Sequence, residues 1–282
     1  MTIFVTGATG FIGYNLIKKF EKKKIRVFAF YKTEKRIDRK KFKYVKFFSV
    51  DIYKQKNFFK IYGVPKILIH LAWEGLPNYN EDFHLKKNFP NELFFLKSAI
   101  YSGVNQLIIS GTCYEYGKQK GCLREEMKTL PITNYAKAKD RLRKELEKIK
   151  KRKPFILQWV RIFYVFGMHQ NSQSLLPSFE RAIRNRKKIF TISSKSILRD
   201  FISVNNVANF FLHLADNATL NGVINCRSGK PLSVFKFVDN YRKKKNSRIK
   251  ILENKNLVQN YEPLKFWGST VKMKSMFFKI NN

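Results

Sequence analysis

Two side chains in the middle of the chain have the types and the spacing for acid–base chemistry. Tyr135 and Lys139 are four residues apart, so a helix places them on one face, one turn from each other. The phenol of a tyrosine has a pKa of about 10 in water, and a neighbouring ammonium group lowers that pKa because it favours the phenolate. The pair is therefore a candidate for proton transfer, and the alternative interpretation is a solvated helix face.

A glycine-rich turn near the start of the chain could bind the phosphates of a nucleotide. Gly7, Gly10 and Gly13 follow an apolar run at 3–5, and apolar residues at helical spacing come next, between 12 and 20. In such a unit the first glycine permits the turn, the second lets backbone approach a pyrophosphate, and the third lets helix pack on strand. The N–H groups at the helix start then face the negative charge. A purely structural turn is the alternative, but the order of strand, turn and helix favours a dinucleotide site.

The elements that must position these groups alternate between strand and helix. Strands are predicted at 26–30, 44–50, 67–72, 106–110 and 155–163, and helices at 88–101 and 134–150. This alternation predicts an α/β fold, namely a Rossmann-type doubly wound parallel sheet with helices on both faces. We expect residues 1–166 to form an NAD(P)-binding Rossmann domain. Residues 167–282 are expected to form mainly a smaller, interleaved substrate-binding lobe, with 188–216 returning to the Rossmann domain.

The C-terminal part of the sequence has shorter elements. Asn205 or Asn206 is predicted to cap one helix, and Ser233 to cap the last regular helix. From about Lys243 onward the sequence shows little periodicity.

Composition narrows the class of protein. The 282 residues include three cysteines whose spacing fits no zinc site, so a reduced cytoplasmic protein without a metal is expected. No signal segment precedes the first strand, and the apolar runs are far shorter than the roughly 20 residues that cross a bilayer, so no membrane partner is expected. The net charge of +37 would suit nucleic acid, but the basic residues are spread along the whole chain. A biased amino-acid composition is the preferred explanation, and no specific nucleic-acid partner is expected.

Taken together, the N-terminal glycines, Thr112, Tyr135 and Lys139 resemble the extended short-chain dehydrogenase/reductase family. Within it the chain is similar to the nucleotide-sugar epimerases, dehydratases and reductases, in which a Thr or Ser stands five residues before the Gly of a Tyr-Gly pair. Thr112 stands five residues before Gly117. The resemblance implies that Thr112, Tyr135 and Lys139 form a catalytic triad. Tyr135 would pass a proton, Lys139 would tune it and bind the cofactor ribose, and Thr112 would orient the substrate oxygen.

The same resemblance implies a cofactor site and a nucleotide-sugar site, and a homodimeric assembly. In the family an acid like Asp51 contacts the adenine, and an arginine like Arg199, in an Arg-Asp-Phe segment, holds the nucleotide-sugar phosphates. The cofactor-binding candidates are Gly7, Thr9, Gly10, Phe11, Ile12, Gly13, Lys32, Arg36, Asp51, Ile52, Leu71, Ala72 and Asn88. The substrate-binding candidates are Trp73, Cys113, Tyr114, Tyr164 and Arg199.

The departures from the family pattern narrow the reaction. The 4,6-dehydratases carry an Asp-Glu pair where this chain has Cys113 and Tyr114, so elimination of water is not expected. Tyr164 replaces a common Asn, and Trp73 stands where a small residue is common, which narrows the site from the substrate side. The segments 70–79 and 261–268 resemble those of reductases of dTDP-4-keto-6-deoxyhexoses.

The end of the second predicted strand bears on the choice of cofactor. NAD-specific folds usually place an acid there, where it accepts from the ribose hydroxyls. This chain has Tyr31 and Lys32 at that point, with Arg36 four residues further on. Cations within reach of a 2′-phosphate predict NADP(H), with NAD as the alternative.

Three functions remain open at the level of the sequence. The first is NADP(H)-dependent reduction or oxidation at C4 of a nucleotide-linked 4-keto-6-deoxy sugar. The second is a nucleotide-sugar 4-epimerase that holds NAD tightly. The third, of another class, is a non-catalytic nucleic-acid-binding relative, which has no need of Thr112, Tyr135 and Lys139 together.

Overall fold

The computed structural model describes residues 2–33 and 38–272. Its strands are β1 (Ile3–Thr6), β2 (Val27–Tyr31), β3 (Val45–Ser49), β4 (Ile67–His70), β5 (Gln106–Thr112), β6 (Gly121–Leu123), β7 (Ile156–Ile162), β8 (Tyr164–Phe166), β9 (Ile189–Ile192), β10 (Leu198–Ser203), β11 (Gly222–Cys226), β12 (Pro231–Ser233), β13 (Lys250–Glu253) and β14 (Phe266–Gly268). Its α-helices are α1 (Phe11–Lys22), α2 (Phe58–Tyr62), α3 (Phe89–Tyr101), α4 (Asn134–Arg152), α5 (Leu175–Arg184), α6 (Val204–Asp216) and α7 (Val234–Lys244).

A parallel sheet with the order β11-β7-β5-β4-β1-β2-β3 forms the larger layer. The chain runs outward from β1 through β2 to β3, then crosses over to β4 on the other side of β1. The strand order therefore reverses between β1 and β4. In open α/β sheets a ligand crevice lies at this point, outside the carboxyl ends of the strands. This topology confirms the Rossmann-type fold.

Helices cover both faces of the sheet with apolar side chains. On one face, Leu16 and Phe20 of α1 pack with Phe211 of α6 in a buried cluster that includes β1. On the other face, Leu96 of α3 and Leu142 of α4 belong to a second buried cluster. The apolar residues of each helix recur at helical spacing, so burial of that stripe holds the helix against the sheet.

The smaller lobe is assembled from short sheets and is interleaved with the larger one. Strand β10 pairs with β8 and β12, β9 pairs with β13, and β14 pairs with β6. Within the segment 188–216, β9 and β10 lie in this lobe, whereas α6 packs on α1. The chain then enters the larger sheet again as β11, beside β7. The domain boundary placed after residue 166 stays a prediction.

One sequence prediction about the C-terminal part is wrong, and one is confirmed. Ser203 caps α6, accepting from the N–H of Asn206, so neither Asn205 nor Asn206 is the cap. Ser233 does cap α7, accepting from the N–H of Lys236. The aperiodic tail contains β13 and β14, because distant strands β9 and β6 supply their hydrogen-bond partners. Among the described residues, no helix combines the length and the apolar character needed to cross a bilayer.

Candidate active site

A cleft of about 850 Å³ opens at the point where the strand order reverses, between the two lobes. The candidates that line it are Gly7, Gly10, Phe11, Ile12, Gly13, Leu71, Trp73, Thr112, Cys113, Tyr114, Tyr135, Tyr164 and Arg199. The structure therefore brings the predicted phosphate loop, two members of the predicted triad and the predicted substrate residues to one cavity. The volume is in the range of small-molecule and cofactor sites.

The glycine turn is shaped as a cradle that side chains would fill. Gly7 has a φ of +65°, and a Cβ there would lie 2.7 Å from the backbone N of Ala72. A Cβ on Gly13 would lie 2.2 Å from the carbonyl oxygen of Gly7. Gly10 caps α1 without a side chain that could accept from the first N–H groups of the helix. Those groups line the cleft and fit a dinucleotide pyrophosphate.

Tyr135 is held at the start of α4 by local hydrogen bonds. The hydroxyl of Thr133 accepts from the N–H of Ala136 at 3.2 Å and caps the helix. The N–H of Tyr135 donates to the carbonyl of Tyr79 at 2.9 Å, which joins α4 to the loop after β4. The phenol of Tyr135 is buried and shares a side-chain hydrogen bond with Thr112. Thr112 and Tyr135 thus meet as the sequence predicts.

The pKa of Tyr135 differs from the sequence expectation. Burial raises it well above 10, the nearby Tyr79, Glu115 and Cys113 raise it further, and the hydrogen bond with Thr112 lowers it. The ammonium of Lys139 by itself would lower that pKa, which is what the sequence predicts. Desolvation of the phenolate outweighs that effect here, so the phenol is protonated at neutral pH.

Lys139 lies beneath the cleft rather than in its lining. Its side chain is 1% exposed, and its Nζ has no hydrogen-bond partner among the described residues. The ammonium stands 3.9 Å from the centre of the Trp73 ring. Burial lowers the pKa of Lys139 to about 8, against the carboxylates of Glu92 and Glu115, which raise it. A buried ammonium with unused donors fits the ribose hydroxyls of a nicotinamide nucleotide.

A buried carboxylate that the sequence analysis missed fixes the Thr112 turn. Glu115 is fully buried, and its Oε1 accepts from the N–H of Thr112 and from Nε1 of Trp159, each at 2.9 Å. Its Oε2 accepts from Nε of Arg161 at 2.8 Å. The signal was available, because Thr112 and Glu115 have the spacing of a capping box.

Arg199 reaches the far end of the cleft and is already partnered there. It donates to the carbonyl of Pro263 at 2.6 Å and to the carboxylate of Glu262 at 2.9 Å. The hydroxyls of Tyr114 and Tyr164 lie 3.1 and 3.4 Å from the same carboxylate. Glu262 therefore joins three predicted substrate residues; it lies in the segment 261–268 that the sequence singles out, but it was not among the predicted site residues.

At the end of β2 one of the two predicted cofactor cations, Lys32, has acidic partners. The ammonium of Lys32 lies 3.0 Å from Asp51 and 2.6 Å from Glu74, and its side chain is 49% exposed. Tyr31 is buried, and the guanidinium of Arg39 lies over its ring. Arg36, the other predicted cation, lies outside the described residues.

The remaining cofactor candidates surround the cleft without lining it. The hydroxyl of Thr9 donates to the carbonyl of Thr33 at 3.3 Å, near the end of β2. Ile52 is part of the buried cluster under α3 and α4. The side-chain amide of Asn88 donates to the carbonyl of Glu74 at 2.9 Å, so it supports the loop after β4.

Curated proteins of known activity resemble most of the chain. It is 26% identical over 274 residues to dTDP-6-deoxy-L-talose 4-dehydrogenase (NAD(+)) of Aggregatibacter actinomycetemcomitans, covering 95% of this chain and all of that protein. It is 29% identical over 241 residues to GDP-6-deoxy-D-talose 4-dehydrogenase of the same organism, covering 83% of this chain and 77% of that protein.

Solved structures share the fold at lower identity. UDP-N-acetylglucosamine 4-epimerase from Methanobrevibacter ruminantium M1, in complex with UDP-N-acetylmuramic acid, has a TM-score of 0.85 at 21% identity, over 97% of this chain and 90% of that chain. MoeE5 in complex with UDP-glucuronic acid and NAD has a TM-score of 0.84 at 18% identity, over 98% and 92%. A family model matches residues 3–226. The chain belongs to the NAD dependent epimerase/dehydratase family of enzymes.

Proposed function

We propose that the protein reduces or oxidises C4 of a nucleotide-linked 4-keto-6-deoxy sugar with NADP(H). The observation that carries this proposal is the buried Tyr135 phenol, which is hydrogen-bonded to Thr112. Both residues line the same cleft as the glycine turn. Cys113 and Tyr114 stand beside the phenol where elimination of water would need carboxyl groups. The curated relatives named as 4-dehydrogenases of 6-deoxytaloses support the same reaction.

The proposed roles follow from the protonation states. When bound, the nicotinamide supplies the hydride or accepts it. Tyr135 is protonated at neutral pH, so it can give its proton to the C4 oxygen in the direction of reduction. Thr112 orients that oxygen, and the ammonium of Lys139 holds the nicotinamide ribose and stabilises the phenolate that Tyr135 leaves behind.

A nucleotide-sugar 4-epimerase is the second candidate. It uses the same three residues, and a solved structure of the same fold is a UDP-N-acetylglucosamine 4-epimerase. A nucleic-acid-binding relative is disfavoured, because it has no need of a buried ammonium beside a buried phenol. The homodimer and the cytoplasmic location stay predictions.

A substrate panel tests the proposal. Purified protein is incubated with dTDP-, GDP- and UDP-linked 4-keto-6-deoxy sugars and NADPH or NADH, and absorbance is followed at the nicotinamide band. Stoichiometric loss of reduced cofactor with one sugar supports the C4 oxidoreductase. A parallel incubation uses the corresponding 4-hydroxy nucleotide sugars without added reduced cofactor, and interconversion of their C4 epimers with no net change in cofactor would establish the epimerase instead.

The cofactor preference gives a separate prediction. Tyr31→Asp should raise the KM for NADPH at least tenfold and leave the KM for NADH similar or lower, since the new carboxylate repels a 2′-phosphate and can accept from ribose hydroxyls. The double change Lys32→Ala with Arg36→Ala should act in the same direction. Initial rates over a range of each cofactor measure both, with the exposed Lys236→Ala on α7 as a control. A wild-type preference for NADH would show that the NADP assignment is wrong.

The pairing of Arg199 with Glu262 predicts a change in nucleotide affinity. If Arg199 holds the diphosphate, the Glu262 carboxylate competes for the same guanidinium at 2.9 Å. Glu262→Gln keeps an acceptor for Tyr114 but removes the charge, so dTDP or GDP should bind about tenfold more tightly. Isothermal titration calorimetry measures this, with Glu180→Gln on α5 as a control of equal charge. Unchanged affinity in Glu262→Gln would count against a phosphate role for Arg199.

A further inference from the structure

Within the described parts of the chain, the ammonium of Lys139 contacts an aromatic ring and has no hydrogen-bond acceptor. Its Nζ lies 3.9 Å from the centre of the Trp73 ring, well inside the distance at which a cation is attracted to an aromatic face. The ring of Trp73 also packs edge-on against Tyr135, with centroids 5.5 Å apart. Trp73 therefore contacts both groups of the predicted proton-transfer pair.

The indole is itself held in place by a buried histidine. Nε1 of Trp73 donates to Nδ1 of His84 at 3.1 Å, and Nε2 of His84 donates to the carbonyl of Asn78 at 2.9 Å. The side-chain amide of Asn88 lies 3.3 Å from the same Nδ1. Both donors point at Nδ1, so the imidazole is neutral and carries its proton on Nε2.

A local irregularity of the chain aims His84 at the indole. Residues His84–Asn88 form one π-helical turn just before α3, and the His84 side chain is fully buried. Such turns are frequent at functional sites, because the extra residue changes which side chains point inward. The chain uses this turn to place an acceptor beside Trp73.

We propose that His84 is a positioning residue that acts through Trp73, holding the indole face against Lys139 so that its ammonium stays charged next to Tyr135. This inference rests on the proposed function, because the proposed function is what gives the Lys139 ammonium its role. The contacts that carry it run from Asn78 to His84, from His84 to Trp73 and from Trp73 to Lys139. We call this set of contacts the relay.

The charged groups around Lys139 and His84 determine the pH range over which these contacts persist. Lys139 faces Glu92 from α3 and Glu115 from the turn after β5, with Tyr135 on its own helix. The face of the Trp73 ring, with the Lys139 ammonium 3.9 Å from its centre, favours the charged form of Lys139, so loss of that contact should lower the pKa of Lys139. Burial lowers the pKa of His84 from 6.5, while the Asn78 carbonyl raises it and Lys139 lowers it. Protonation of Nδ1 at acid pH would replace the acceptor that Trp73 needs with a donor.

The first test uses the cofactor-free protein and needs no substrate. Tryptophan emission is followed between pH 6 and 10, where loss of the Lys139 charge should give a transition with a midpoint of about 8. Trp73→Phe and Lys139→Met should each abolish the transition, while Trp159 and Trp267 remain as a constant background. Absence of the transition in the wild type overturns the proposal.

Three substitutions at His84 separate positioning from a structural role. Asn keeps an acceptor near Nδ1 for Trp73, Gln keeps a donor near Nε2 for the Asn78 carbonyl, and Leu keeps neither. His84→Leu and His84→Gln should lower the emission midpoint by about one pH unit, and His84→Asn should retain it. The alkaline limb of kcat/KM in the sugar assay should move in the same order. An unshifted midpoint in His84→Leu, or rescue by Gln but not by Asn, overturns the proposal.

The two proposals fail separately. If the emission midpoints follow the expected order but no nucleotide sugar is turned over, the relay stands and the proposed function is wrong. If turnover is found but the midpoints do not move, the proposed function stands and the relay is wrong.

Discussion

Replacing Tyr135 with phenylalanine should lower kcat by about a thousandfold, the typical size of a general acid–base contribution, and leave dinucleotide affinity within a few-fold. The phenyl ring retains its packing against Trp73, Tyr79 and His84, so only the proton carrier is lost. Turnover is measured with the sugar identified by the panel, and affinity by quenching of tryptophan emission on titration with the dinucleotide.

A second buried tyrosine provides the matched control for this substitution. The hydroxyl of Tyr116 donates to Asn225 at 2.8 Å, and burial raises the pKa of Tyr116 to about 12. Tyr116→Phe removes an equally buried hydroxyl away from the cleft lining and should change kcat only a few-fold. Turnover by Tyr135→Phe within a few-fold of the wild type would show that another group carries the proton.

Lys139→Met should abolish turnover and weaken dinucleotide binding, yet make the cofactor-free protein more stable. The pKa of Lys139 falls from 10.5 to about 8 in the fold, so its charged form costs roughly 3 kcal/mol of folding free energy below pH 8. Methionine fills similar space without a charge to desolvate. Urea unfolding at pH 7 should therefore give a higher free energy of unfolding for the variant.

The difference in unfolding free energy between Lys139→Met and the wild type should depend on pH. Between pH 8 and 10.5 the unfolded chain binds the lysine proton and the folded protein does not, so wild-type stability rises with pH relative to the variant. The advantage of Lys139→Met should be largest at or below pH 8 and vanish above about pH 10.5. The substitution Lys137→Met, at an exposed position on the same helix, controls for loss of a charge. A variant less stable than the wild type at pH 7 would contradict a desolvated ammonium.

The features that the sequence predicts well are local ones. Gly7, Gly10 and Gly13 mark a turn within one strand–helix unit, and Tyr135 with Lys139 lie one turn apart on one helix. The parallel sheet follows from short apolar runs that alternate with helical periodicity. In each case the residues that define the feature are close in the chain, so spacing alone predicts how they are placed.

The features that the sequence does not predict depend on contacts between distant segments. Glu262 meets Arg199 because the tail pairs with the start of β10, where the N–H of Leu198 donates to the carbonyl of Leu264. The raised pKa of Tyr135 reflects burial together with Tyr79, Glu115 and Cys113, which are distant from it in the chain, and residue spacing does not reveal this. The prediction that Asn205 or Asn206 caps α6 is wrong because Ser203, which also has a good capping side chain, lies within the same turn. The fold, and not the local sequence, decides between them.

The interleaving of the two lobes bears on how the protein is made. Strand β11 completes the larger sheet and helix α6 packs on α1, yet the chain reaches them only after β8, α5, β9 and β10 of the smaller lobe. A nascent chain that has reached residue 166 leaves β7 as an open edge and the apolar face of α1 uncovered. Both are exposed aggregation-prone surfaces until about 60 further residues emerge from the ribosome. Synthesis of this enzyme thus passes through a period in which most of the larger sheet is made but the edge of β7 and the apolar face of α1 are still uncovered.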